Sequence, residues 1–234
     1  MKTTKQAISV DTSTSFAFIS IRDKNGTFYS LSIKDEKKSE NLLLGIDNLL
    51  DSLDDKKIDE LYVTKGPGSF TGLRIGMSTI KGISSALDIP VFTLSTLSCY
   101  AYSAYETLSN KSKLTQDDLI MPVIDARKNR YYVAGFVLDS KANVLNEVLP
   151  DSDISLEEIC VFLRNQHYSR IYFVVIDDIK DKISTLPLKN SEYEIINLND
   201  CSNPAEVLIK KAKDKLKISQ GATYIRPVDA KIWM

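Results

Sequence analysis

The segment of this chain with the most chemical potential is Lys65-Gly66-Pro67-Gly68-Ser69-Phe70-Thr71-Gly72-Leu73-Arg74-Ile75-Gly76, with Lys81-Gly82 beyond it. A glycine-rich loop that leads from a strand into a helix can turn its backbone N–H groups toward an anion at the helix N-terminus. It is not a P-loop: five residues separate Gly66 from Gly72, and no Lys-Ser or Lys-Thr pair follows. The same glycines would equally serve a tight turn and close helix packing, and composition leaves both uses open. Two strand ends carry a carboxylate in a polar turn, Asp11-Thr12-Ser13-Thr14 and Asp125-Ala126-Arg127. Each aspartate either holds a charged ligand or closes an Asx-type turn. Neither turn has the glycine that lets a backbone approach phosphate, which favours the structural role for both. No Ser-His-Asp or Cys-His arrangement can be argued from spacing. The single histidine, His167, lies in a polar stretch and reads as a surface or loop residue.

These residues need elements to position them. Gln6 to Val10, Phe16 to Ile21 and Gly26 to Ile33 read as three strands of an antiparallel meander. A helix follows from Ser39 to Leu53, with Leu42, Ile46, Leu49 and Leu53 on one stripe and Leu43 and Leu50 widening it. Glu60 to Thr64 is a short buried strand, and the glycine loop leads from it into a helix from about Gly72 to Leu87. Pro90 to Thr93 is a strand and Ser95 to Thr107 a helix. Strands alternating with helices imply an α/β fold with covered sheet faces. Past the polar run at 109–118 the opening pattern returns: Pro122-Val123-Ile124-Asp125, a turn, then Arg130 to Val137. The layout predicts two lobes on one plan, 1–108 and a smaller 109–234. The second would hold strands at 143–149, 170–176 and 193–197, a helix at 155–164, and a last helix at 202–217 that returns to the first lobe. The lysines of that last helix read as a solvated face.

The whole chain sets further bounds. It has 234 residues, 43% hydrophobic and 26% charged, and a net charge of -1. Phosphate neutralisation drives nucleic-acid binding, so a balanced charge implies that affinity for RNA would come largely from a partner. No apolar run reaches membrane-spanning length and the N-terminus has no signal-peptide pattern. Three scattered cysteines suggest free thiols in a reducing compartment, and a cytoplasmic location is expected.

The glycine motif resembles the signature of the bacterial TsaB family. Asp11-Thr12-Ser13-Thr14, Ser39-Glu40-Asn41-Leu42, Ile124-Asp125-Ala126-Arg127 and Tyr224-Ile225-Arg226 are similar to that family's remaining motifs, in the same order. Lys38 and Ala222 depart from it, where the family often has His and Pro. The resemblance implies an actin-like, sugar-kinase-like (ribonuclease H-like) α/β fold of two lobes, the second reduced. It implies a non-catalytic subunit of the machinery that makes threonylcarbamoyladenosine in tRNA, at the adenosine next to the anticodon. Its partners would be a metal-binding catalytic transferase paralogue, which it activates, and an associated ATPase subunit. Alone it would form a homodimer, and it would meet tRNA indirectly. One histidine cannot supply the His-x-x-x-His metal pair of that paralogue, so no metal and no catalytic residue are expected here. No cofactor of its own is implied, with ATP or ADP confined to the interface with partners. Asp11, Thr12, Ser13, Gly66, Gly68, Ser69, Phe70, Thr71, Gly72 and Arg74 are then the remnant of a nucleotide site or an interface loop. Leu42, Ile46, Leu49, Leu73, Gly76, Met77, Thr79, Ile80 and Ile83 are the partner-binding residues of two helices that would pack as half of a four-helix bundle. A charge at Gly76 or Thr79 is expected to break that contact without unfolding the chain. The competing expectation is an autonomous small ATPase or kinase of the same superfold, with Asp11 and Asp125 holding Mg–ATP in a cleft.

Overall fold

Two sheets on the same plan organise the chain. The computed structural model describes residues 4–34, 38–110, 114–176, 179–188, 192–215 and 221–223. β1 (Ala7–Asp11), β2 (Phe16–Arg22) and β3 (Phe28–Lys34) form an antiparallel meander. α1 (Lys38–Leu50) leads to β4 (Glu60–Thr64), parallel to β1, and α2 (Phe70–Leu87) leads to β5 (Val91–Leu94), parallel to β4. After α3 (Thr96–Asn110), β6 (Asp118–Asp125), β7 (Tyr131–Asp139) and β8 (Val144–Ile154) repeat the meander. α4 (Leu156–Arg164) precedes β9 (Arg170–Val175), parallel to β6; α5 (Lys180–Ser184) precedes β10 (Glu192–Asn197), parallel to β9. α6 (Pro204–Lys211) and the two-residue β11 (Asp214–Lys215) follow. The sheet orders are β11-β5-β4-β1-β2-β3 and β10-β9-β6-β7-β8.

The second sheet keeps all five strands of the shared plan, so the reduction expected there falls on its helices. α4 and α5 have nine and five residues, against thirteen and eighteen in α1 and α2. β8 runs to Ile154, beyond the expected 149, because it lines the whole of β7. The helix expected over 202–217 spans only Pro204–Lys211. Beyond it the backbone extends so that Asp214 and Lys215 pair with Thr93 and Phe92 at the edge of the first sheet. Leu216 and Lys217 of that expectation, and the motif Tyr224-Ile225-Arg226, lie outside the described residues.

Strand alternation assigns each residue to a layer. Ile8 and Val10 of β1 and Leu61 and Val63 of β4 join the core under α1 and α2, with Leu42, Ile46, Met77 and Ile80. Ala7 and Tyr62 face the other way, into a core built on α3 and α6. Ile120, Ile124, Phe136 and Tyr172 of the second sheet enter that same core. Leu119, Met121 and Val123 point outward to α4 and α5. α3 is thus a shared layer, and Asp11, on the same strand face as Ala7 and Ser9, aims at it. α6 caps itself with Asn203, carries Pro204 at its start, and accepts a 2.6 Å hydrogen bond at Ala205 O from Ser9 Oγ. Its lysines are not a free face: Lys210 meets Glu106 at 2.9 Å, and Lys211 lies over the Tyr102 ring.

Candidate functional site

Asp11 ends β1 fully buried, and its carboxylate is matched by donors from three residues. Oδ1 accepts from Ser13 N (3.0 Å), Ser13 Oγ (2.5 Å) and Thr64 Oγ1 (2.7 Å), and Oδ2 accepts from Tyr100 OH (2.8 Å). Each partner follows from the layers. Ser13 closes the Asx turn, Thr64 shares the face of Tyr62 on the neighbouring strand, and Tyr100 comes from α3. Burial, and then the charge of Asp11, push the Tyr100 phenol well above the ordinary tyrosine range, so it stays protonated and donates. The carboxylate is engaged inside the fold rather than aimed at a ligand.

The glycine loop is engaged with the same turn. Ser69 N donates to Ser13 O at 2.6 Å, and Ser69 Oγ caps α2 by accepting from Gly72 N at 3.2 Å. Thr12 Oγ1 donates to Gly72 O at 2.7 Å. A Cβ at Gly68 would strike Ser13, and one at Gly72 or Gly76 would strike Thr12, all well inside van der Waals contact. The spacing of these glycines lets the first turns of α2 lie directly on the β1–β2 turn. Gly66 has a φ of +102°, and its bond to Pro67 is cis. A Cβ there would lie 2.5 Å from Thr223 O, because Thr223 lies against the loop and its N–H donates to Lys65 O. Of the two uses left open by composition, packing is the one these contacts describe.

The remaining expected residues separate into two groups. Thr71 and Arg74 are exposed, and the Arg74 guanidinium stacks 3.8 Å from the centre of the half-buried Phe70 ring. Leu42, Ile46, Leu73, Met77 and Ile80 are buried in their own chain, so the apolar stripe assigned to a partner belongs instead to the sheet. Gly76 is covered by Thr12, and a charge there would strike the β1–β2 turn. Leu49 and Ile83 are half-buried, as is Thr79. The large apolar side chains that α1 and α2 do expose lie outside the expected set: Leu43 (55%), Leu44 (59%) and Leu87 (53%). The widened stripe of the first helix was the available signal, since a helix needs only one apolar side to cover a sheet.

Asp125 has partners of its own. It accepts from Arg127 N at 2.7 Å, and Lys182 lies 3.7 Å away. The turn it opens holds Arg127, Lys128 and Asn129 at positive φ. His167 is exposed in a loop, and Cys99, Cys160 and Cys201 are not joined in disulfides. Among the described residues no cluster of His, Cys, Asp or Glu is arranged to hold a metal, and no helix is long and apolar enough to cross a membrane.

Comparison with known proteins gives the family and the fold. The family model described as TsaD, tRNA N6-adenosine threonylcarbamoyltransferase, matches residues 32–168. The tRNA threonylcarbamoyladenosine biosynthesis protein TsaB of Haemophilus influenzae is 27% identical over 155 residues, covering 65% of this chain and 63% of that protein. The Bacillus subtilis protein of the same name is 30% identical over 130 residues, 52% of each chain. The chain therefore spans less than two thirds of the length of either relative. Among solved structures, YeaZ from Pseudomonas aeruginosa superposes with a TM-score of 0.69 at 20% identity, covering 88% of this chain and 90% of that one, which establishes a shared fold.

Proposed function

The chain belongs to the TsaD family as one of its TsaB/YeaZ members, and from that premise we propose that it is a non-catalytic subunit in the biosynthesis of threonylcarbamoyladenosine in tRNA. Its task on this reading is to bind and activate a catalytic, metal-binding paralogue, together with an associated ATPase subunit. The observation that carries the reading is the mutual engagement of Asp11 and the glycine loop. In a nucleotide-using member of the superfold these groups would face Mg-phosphate. Here the carboxylate is taken by Ser13, Thr64 and Tyr100, and Thr12 and Ser13 fill the space over the glycines. The residues do not fit a nucleotide phosphate at this place, so any ATP or ADP would be held on surfaces that a partner completes.

What the chain offers a partner is apolar area on α1 and α2. Leu43, Leu44 and Leu87 lie exposed, and Leu49, Ile75 and Ile83 of the same helices are half-buried. Leucines on the outer side of helices whose inner stripes already cover a sheet are the area a partner surface would bury. A homodimer through the same face competes when the paralogue is absent.

Light scattering on a sizing column tests this, with the protein alone and then mixed with its catalytic paralogue. A one-to-one species that replaces any homodimer is expected. Leu44→Glu and Leu87→Lys should weaken it by about 30-fold each, the effect of losing a contact worth about 2 kcal/mol. Failure to form any complex, combined with ATP turnover by the isolated chain that Asp11→Asn abolishes, would favour the autonomous ATPase instead.

A further inference from the structure

We propose that the hydrogen bond from Ser95 to Asp151 is a latch through which the second sheet sets the position of the glycine loop and of the first turn of α2. Its consequence for partner binding rests on the reading of α1 and α2 as the docking face; the latch itself does not.

The edge strand β8 supplies the acceptor. Its pairing with β7 is irregular on both sides of Gly135. Between Val133↔Ser152 and Gly135↔Leu149, two steps along β7 match three along β8, so β8 carries an extra residue there. Such a bulge bends an edge strand and re-aims a side chain. Asp151 sits in it, and its Oδ2 reaches across to the first lobe to accept from Ser95 Oγ at 2.7 Å.

From Ser95 the path to α2 is short. The Ser95 hydroxyl oxygen also accepts from Ser98 N in the first turn of α3. The next residue, Thr96, donates its N–H to Gly66 O at 2.9 Å, and Lys65 N donates to Leu94 O at 3.0 Å. The Lys65 ammonium weakly favours the charged Asp151 carboxylate, against its burial. Gly66 lies three residues before Ser69, whose N–H is held by Ser13 O and whose hydroxyl caps α2. Each link is one hydrogen bond or a few peptide units, so displacement of β8 is felt at the cap.

The junction is also the place where the protein leaves polar atoms unmatched. Among the described residues, Thr96 Oγ1 and Asp151 Oδ1 are the two buried side-chain oxygens without a protein hydrogen-bond partner. A fully matched buried network rigidifies its surroundings, and a partly matched one restrains them less. A latch needs that property: a bond that holds the loop, in surroundings that do not forbid its release.

Hydrogen exchange on the whole chain is the test. In Ser95→Ala and in Asp151→Ala, the amides of residues 68–72 should exchange about tenfold faster, the opening penalty supplied by one hydrogen bond to a charged acceptor. Ser95→Thr, which keeps the hydroxyl, should retain protection. The double variant should exchange no faster than either single one, since both remove the same bond. Acceleration confined to residues 95–99, or effects that add in the double variant, would overturn the proposal. If Asp151→Ala does not fold by circular dichroism, the Ser95 pair carries the test alone. Faster exchange at 68–72 with unchanged affinity for the paralogue would uphold the latch and count against the docking face.

Discussion

Tyr100 reaches Asp11 across the boundary between α3 and the first sheet, and its hydroxyl donates to Oδ2. Tyr100→Phe leaves a buried carboxylate oxygen short of a partner, which costs about 2 kcal/mol for a hydrogen bond to a charged acceptor. Urea denaturation should show a lower midpoint at an unchanged slope. Asp151 behaves differently because burial, then the charge of Glu147, raise its carboxyl above the usual aspartate range, against the opposing effects of Ser95 and Lys65. A raised value in the folded state means that the folded protein binds this proton more tightly than the unfolded chain does. The group's favourable contribution is then complete below the ordinary aspartate value and is lost as pH rises through the raised one. Asp151→Asn resembles the protonated form and keeps an oxygen for Ser95, so it should be more stable than the parent at neutral pH. The advantage should shrink on acidification toward about pH 4. Urea midpoints across that range check the sign: an asparagine variant less stable at neutral pH, with the gap closing in acid, would contradict it.

Element packing explains why glycines on one helix are not equivalent. Gly72 lies where α2 meets the β1–β2 turn, and the backbone of Thr12 occupies the place of its missing Cβ. Gly72→Ala should destabilise by about 1–3 kcal/mol through overpacking against a backbone that cannot yield. Gly82 is exposed on the same helix, and a methyl group added there would meet nothing within 4 Å, so Gly82→Ala should stabilise by about 1 kcal/mol through helix propensity alone. Melting both variants beside the parent gives opposite shifts if this is right. The elements themselves were largely readable. Periodicity located α1, α2 and α3 to within a few residues, and the strand-Asp-turn pattern found both meanders. It did not say which side of α1 and α2 stays exposed. The stripe of Leu42, Ile46, Met77 and Ile80 is the strongest apolar signal in those helices, and the sheet takes the strongest stripe. What stays exposed is the weaker remainder, Leu43, Leu44 and Leu87, which periodicity ranks second.

The two sheets are joined by more than the chain. One core contains Phe18 and Tyr62 of the first, Phe136 and Tyr172 of the second, and Tyr100, Leu97 and Ala104 of α3 between them. A protein with separate cores would melt in stages; this one should unfold in a single calorimetric transition with equal calorimetric and van't Hoff enthalpies. Two resolved transitions would mean that α3 binds one sheet far more tightly than the other. The sequence by itself determined the doubled plan, because two polar turns after Asp11 and Asp125 and the alternation of short strands with helices are local patterns. It also determined that a His-x-x-x-His pair cannot form, since the chain has one histidine. The tertiary structure alone decided what Asp11 and the glycines do. Tyr100 stands 89 residues from Asp11, and Thr12 stands 60 from Gly72. No local pattern reports such a meeting, yet whether a carboxylate is filled by hydroxyls, and a glycine by a neighbouring turn, is what separates a packed joint from a phosphate site.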